Sequence, residues 1–321
     1  MRRSFKLLTT LTLGLGLAVS HASLASAQPY PQQPITFVVG FSAGGFADSM
    51  GRIIAENLSR ELGQPVVIEN VGGAGGDIAA ARVASSPADG YTVLVTTASY
   101  ALSEAQDSPR EYSINDLVPV AIPVSSPETL AAHPSVPATN LAEFIAWAKT
   151  QEAVTFGHAG AGTGSQVSAS YFLTKMAGLD NIIEVTYSGG GPANQAAISG
   201  EVQLVGSSNS VYPFIREGLL TGLGVASEER TPALPGVATY VEQGYSDFVV
   251  SSWVGLLVPA GTDPQVVETL NAAVNKVMAD ETAKSHFADA GAIVSVRDVS
   301  EVQDFFQQDL NRWREMTNAV K

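Results

Sequence analysis

An α/β protein of two domains, built on doubly wound and largely parallel sheets, is the fold class this sequence predicts. Three observations carry it. Short runs rich in β-branched residues alternate with runs of helical period, the signature of β-α-β units. The chain has 321 residues, and removing an N-terminal export segment leaves 294, enough for two domains of roughly 150 residues each. Glycine-rich polar turns stand at four strand-to-helix junctions, where such folds present backbone amides to a ligand.

The elements follow in order. Arg2, Arg3 and Lys6 precede an apolar stretch from Leu7 to Val19, and Ala25-Ser26-Ala27 forms a small-x-small cleavage site. This reads as a secretory signal over 1–27 with cleavage before Gln28, since the apolar core is too short to span a bilayer. Ile35–Val39 reads as a strand, followed by a helix on Met50, Ile53, Ile54, Leu58 and Leu62. Pro65–Glu69 and Ile78–Ala84 repeat the pattern, and Thr92–Thr96 is a third strand. A second α/β unit begins after residue 120. In it Val154–Phe156 leads into a helix near Ser165–Met176, Ile183–Tyr187 into Ala193–Ile198, and Val202–Val205 into a helix near Val211–Gly218. Two amphipathic helices close the chain, one on Val267, Leu270, Val274 and Val277, the other on Val302, Phe305, Phe306 and Trp313. A Ser300-x-x-Gln303 capping box introduces the last. No repeat of fixed period is present.

Composition excludes several functions. With 17 Lys and Arg against 31 Asp and Glu the net charge is −14, and the cationic surface that nucleic-acid binding needs is missing. Export removes three basic residues and leaves 14 basic against 31 acidic, a net −17. There is no cysteine, so disulfide scaffolds and thiolate metal sites are excluded. After residue 27 no run of about 18 apolar residues could anchor the chain in a membrane. The expected compartment is the periplasm.

The four glycine-rich junctions read GFSAGGFAD (40–48), ENVGGAGGD (69–77), GHAGAGTGSQ (157–166) and YSGGGPANQ (187–195). None contains Lys or Arg, so an anion held there is met by amides, hydroxyls and water. Stricter patterns fail on the same loops. No glycine is followed by Lys-Ser/Thr as a Walker A loop requires. Gly160-Ala161-Gly162-Thr163-Gly164-Ser165 is out of step with a dinucleotide fingerprint, and Ser165 lacks the flanking glycines of a nucleophile elbow. His21, His133, His158 and His286 are scattered and define no metal site; His158 reads as an ordinary hydrogen-bonded residue. No catalytic residue, metal or cofactor is expected.

The segments YPQQPITFVVGFSAGGFAD, GQPVVIENVGGAGGDIAAARVASSPADGYTVLV, YSGGGPANQAAISGEVQL, RTPALPGVATYVEQGY and SSWVGLLVPAGTDPQVVETLN together resemble the Bug-type solute receptors, the extracytoplasmic binding proteins of tripartite tricarboxylate transport systems. The resemblance spans residues 29–321. It implies a periplasmic binding protein of type II, two lobes closing like a clam-shell, each a doubly wound mixed sheet. The chain would cross between lobes near Ser125 and Val250, giving lobe 1 as 28–125 plus 250–321 and lobe 2 as 126–249. It implies a monomer that captures a small di-, tri- or aromatic carboxylate and delivers it to the membrane subunits of a tripartite transporter. A sensor presenting the solute to a signalling kinase is the alternative.

By the same resemblance the carboxylate is gripped at Phe41, Ser42, Ala43, Gly44, Gly45 and Phe46, and at Gly162, Thr163, Gly164, Ser165 and Gln166, with Ser99, Ala193 and Ser207 as further lining positions. Asp48 matches a family aspartate whose charge would repel an anion, and it is expected to brace the first helix. Two departures bear on the ligand. Ser42-Ala43 stands where relatives commonly have Pro-Pro, and Gly206-Ser207-Ser208-Asn209 stands where they often have an acid. An amino-acid receptor needs an acceptor for ammonium, and the missing acid weighs against that ligand class.

Overall fold

Residues 30–105 and 110–320 are described by the structure, a computed structural model. The expected signal segment lies outside the described residues. The elements run β1 Ile35–Val39, α1 Phe46–Leu62, β2 Val66–Asn70, α2 Asp77–Ala84, β3 Thr92–Thr97, α3 Ser99–Ala105, β4 Leu117–Pro127, β5 Thr129–Ala132, α4 Leu141–Ala148, β6 Val154–His158 and α5 Gly164–Ser170. They continue as β7 Ile182–Thr186, α6 Gly190–Ile198, β8 Leu204–Ser207, α7 Tyr212–Arg216, β9 Thr221–Val225, β10 Ser251–Pro259, α8 Pro264–Ala279, α9 Glu281–Asp289, β11 Ile293–Val294 and α10 Val299–Val320.

Two sheets organise the chain: a six-stranded one in the order β11-β4-β10-β3-β1-β2, and a five-stranded one in the order β7-β6-β8-β5-β9. In each, three strands are parallel, β2-β1-β3 and β7-β6-β8. The rest are antiparallel: β10 to β3 and β4, β11 to β4, and β5 to both β8 and β9. Both sheets are therefore mixed, and the two-lobed α/β fold is the architecture. The largely parallel character read from strand–helix alternation is confined to half of the first sheet and three strands of the second. Its failure has a local cause, because β4 carries Pro119, Pro123 and Pro127, residues that interrupt a strand signal.

The chain passes from the first sheet to the second at Glu128, between β4 and β5, and returns between β9 and β10. These two passages lie side by side. The Glu128 amide donates to the Val250 carbonyl at 2.9 Å, Ala226 N–H donates to the Glu128 carbonyl at 2.8 Å, and Val250 N–H donates to the Ala226 carbonyl at 3.0 Å.

Met50, Ile54 and Leu58, four apart and fully buried, put one face of α1 into the core beside β1 and β3. Gly63, at φ 65°, ends the helix in the left-handed conformation. The helix read as Ser165–Met176 is α5 continued by a wider π turn over Tyr171–Met176. Helix α10 begins before the expected capping box. Asp298 accepts from Glu301 N–H at 2.9 Å while the Glu301 carboxylate accepts from Asp298 N–H at 2.9 Å, so the box is Asp298/Glu301 and Ser300 lies inside the first turn. Further along α10, buried Asp309 accepts the indole N–H of Trp253 at 2.6 Å and of Trp313 at 2.8 Å. That acid ties the last helix to β10, the returning strand.

Candidate functional site

All four glycine-rich junctions meet. The Ser42 amide donates to the Ser188 carbonyl at 3.2 Å, and the Ser42 and Ser188 hydroxyls lie 2.8 Å apart. A Cβ on Gly75 would stand 2.8 Å from the Ala161 carbonyl oxygen, and one on Gly72 would stand 3.0 Å from the Ser188 carbonyl oxygen. At Gly191 a Cβ would fall almost on the Ala43 carbonyl oxygen. Loops from the first sheet thus close on loops from the second at backbone contact, an approach that only missing side chains permit.

Among these loops lies a small cavity of about 40 Å³. Its first-sheet wall is Phe41, Gly45, Phe46, Ala47 and Thr97; its second-sheet wall includes Ala159, Thr163, Gly164, Ser165 and Gly190. Ser207 ends β8, Ser208 and Ser210 follow it, and Ser252 comes from β10. Glu128 completes the lining and is its single titratable side chain.

Thr163 caps α5, its hydroxyl accepting from Gln166 N–H, and lies 3.2 Å from the Ser165 hydroxyl. Both are buried. The Thr163 hydroxyl donates to the Gly160 carbonyl at 2.8 Å, so the Ser165 hydroxyl and the first-turn amides are the donors that favour a carboxylate here. Phe46 serves the first lobe's core and the cavity wall at once.

Of the positions expected from sequence, Phe41, Gly45, Phe46, Thr163, Gly164, Ser165 and Ser207 line this cavity. The others stand elsewhere. Ser42 faces Ser188, and Ala43 and Gly44 are exposed on the far part of their loop. Ser99 is buried with its hydroxyl 2.8 Å from that of Thr97, and Thr97 reaches the cavity. Gln166 turns its amide to Glu184 at 3.0 Å and accepts from Gly162 N–H at 3.3 Å, which shapes the loop from behind. Ala193 is fully buried in the second lobe's core, one turn along α6 from Gly190.

Asp48 is buried and accepts from Gly44 N–H at 2.9 Å, Arg52 Nε at 3.0 Å and Asn70 Nδ2 at 2.8 Å. Despite burial, the Arg52 and Gly44 hydrogen bonds hold its carboxyl below the ordinary carboxylate range. It braces loop 41–46 from below. His158 sits under loop 159–161 and accepts from Gly160 N–H at 3.3 Å; burial lowers its pKa, which keeps the ring neutral.

Glu128 was not legible in the sequence, where it is one acid between Pro127 and Thr129. It is 4% exposed, and its Oε2 is buried with no hydrogen-bond partner. Burial pushes the carboxyl up to about 8, against a downward pull from the Ser208 hydroxyl. The segment after β8, where relatives often carry an acid, has none here, and the acid in the cavity wall comes from the β4–β5 crossing. The Glu128 carboxyl has the Ser208 hydroxyl beside it with no third group orienting the pair, and Ser165 has a threonine hydroxyl beside it. Among the described residues no group of His, Cys, Asp or Glu could hold a metal, and no helix is long and apolar enough to cross a membrane.

Known proteins share this fold. Residues 50–321 match the tripartite tricarboxylate transporter family receptor. Protein BugT of Bordetella pertussis (strain Tohama I) is 32% identical over 314 residues, 95% of this chain and 96% of that protein. A structure of the periplasmic binding protein BugD superposes with a TM-score of 0.86 at 29% identity, covering 90% of this chain and 98% of that one. MatC from Rhodopseudomonas palustris with bound malate gives 0.84 at 32% identity, covering 89% and 99%. Another R. palustris protein, with adipate, gives 0.86 at 28% identity, covering 90% and 98%. The chain belongs to the tripartite tricarboxylate transporter family of receptors, the Bug-type solute receptors, and is a binding protein rather than an enzyme.

Proposed function

We propose that this receptor works in the periplasm after loss of residues 1–27, and that it captures a small carboxylate between lobes divided at 125/126 and 249/250. The solute's carboxylate lies against the Thr163–Ser165 turn and the Gly45–Phe46 helix start, and the loaded receptor delivers it to the membrane subunits of a tripartite tricarboxylate-type transporter. One observation carries the reading. Three glycine-rich loops from two sheets line one cavity of hydroxyls and helix starts with no Lys, Arg or His in its wall, and the fourth, 69–77, closes against two of them beside it. Malate and adipate in the two R. palustris relatives support a carboxylate as the ligand class.

The test is a thermal-shift screen of the mature protein with carboxylates, followed by calorimetry, because a ligand that binds only the folded chain raises its melting temperature. A carboxylate should bind reversibly and be recovered unchanged. Recovery of a converted product, or melting that no carboxylate raises, overturns the reading.

A further inference from the structure

The cavity's one acid has no counterpart. Glu128 is buried, lines the cavity, and leaves Oε2 without a hydrogen-bond partner. The groups around it are Ser165 on α5, Ser208 after β8, Ser252 at the start of β10, the buried ring of Tyr240 and the buried phenol of Tyr212 on α7. None carries positive charge. A buried carboxyl left this way is costly unless a partner arrives from outside the chain.

The position of that missing partner is set by Gly164. A Cβ there would lie 3.1 Å from Glu128 Oε1, so the acid flanks the same turn, Thr163 to Ser165, that offers the Ser165 hydroxyl and helix-start amides to a carboxylate. A ligand reaching both needs an anionic group and a strong hydrogen-bond donor on neighbouring atoms. We propose that Glu128 is the ammonium-binding group of this receptor and that its solute is an α-amino carboxylate, with the carboxylate on the Thr163–Ser165 turn and the ammonium on Glu128. This rests on the carboxylate reading above and narrows it.

Charge favours this ligand over a dianion. The cavity wall has no cation, and the exported chain carries −17. A zwitterion enters that field with no net charge, and its ammonium cancels the one acid it meets. A dicarboxylate would place further negative charge beside Glu128 and would bind only while that carboxyl kept its proton.

The two cases separate in calorimetry. The probes are the L-amino acid that most raises the melting temperature in a panel of all twenty and its analogue lacking the amino group, such as succinate for aspartate. The amino acid should bind at least about tenfold more tightly than the analogue. Glu128→Gln should remove most of that preference by weakening the amino acid while leaving the analogue within about threefold. In the unmutated protein, affinity for the amino acid should rise from pH 6 to 8 as Glu128 ionises, a readout independent of whether the variant folds. An analogue that binds as tightly as its amino acid, with affinity that falls as pH rises, overturns the proposal in favour of a protonated Glu128 donating to a second carboxylate. Unchanged amino-acid affinity in Glu128→Gln also overturns it. If no carboxylate of either kind binds, the carboxylate reading itself fails.

Discussion

Gly191→Ala asks whether the loops that touch here are the ones that close on a ligand. Gly191 lies in the first turn of α6, in a conformation open to any residue, so alanine fits the helix and improves its intrinsic propensity by up to about 1 kcal/mol. Across the cleft the added methyl collides with the Ala43 carbonyl, far inside the 3.0 Å that real Cβ atoms keep. Relief requires the 41–46 and 189–191 loops to part by roughly 1 Å, and forced packing of that kind costs about 1–3 kcal/mol. The cost falls on the closed form alone. Affinity should therefore drop roughly 5- to 150-fold, while the melting temperature without ligand stays level or rises. Gly236→Ala, where a Cβ meets nothing within 4 Å, is the control and should bind as the parent does. Calorimetry reads the affinity, and small-angle scattering with and without ligand reads the compaction. If Gly191→Ala binds as tightly as the parent and compacts to the same extent, these loops do not meet in the ligand-bound state.

Glu128 also makes stability depend on pH. Its carboxyl holds a proton more firmly in the folded chain than in the unfolded one, so stability is greatest below its ordinary pKa of 4.5 and is lost as pH climbs toward about 8; that interval corresponds to at most roughly 5 kcal/mol. Melting followed from pH 5 to 8 without ligand should fall for the parent and stay flatter for Glu128→Gln, and equal slopes would refute the burial argument. Ser165→Ala should weaken carboxylate binding by about 1–3 kcal/mol through a lost charge-assisted hydrogen bond. Since the wall holds no cation, added salt should leave parent affinity unchanged or slightly better; a steep loss with salt would place recognition on a Lys or Arg elsewhere. Asp309→Ala strands two buried indole N–H groups and should lower urea stability by about 2–5 kcal/mol, whereas a loss within error would mean that water takes over as their acceptor.

The parallel half of each sheet was legible because its strands alternate with helices whose apolar residues recur every three or four positions. β1 matches its expected run, Ile35–Val39, to the residue. The antiparallel half was not. β4, β5, β9 and β10 have no amphipathic helix between consecutive partners, and proline or glycine breaks their apolar runs, as Gly222 and Gly224 do in β9. Pairing β4 with β10 joins residues 117–127 to 251–259, a contact at a sequence separation that no local pattern encodes.

At the site, glycine spacing marked the four loops, since close backbone approach leaves a compositional trace. Depth leaves none. Thr97 and Ser99 differ by two positions and by a single hydrogen bond, yet only Thr97 reaches the cavity. Glu128 is the larger case, because its isolation follows from where the chain crosses between sheets. The backbone of Glu128 bonds to both ends of the return passage, donating to Val250 and accepting from Ala226, while its side chain lines the cavity. On the proposed reading, a solute group that draws this carboxyl toward itself pulls on the segment that joins the two sheets. In a receptor whose closing surfaces are neutral backbone, that acid is the point where ligand charge acts most directly on the crossing between the lobes.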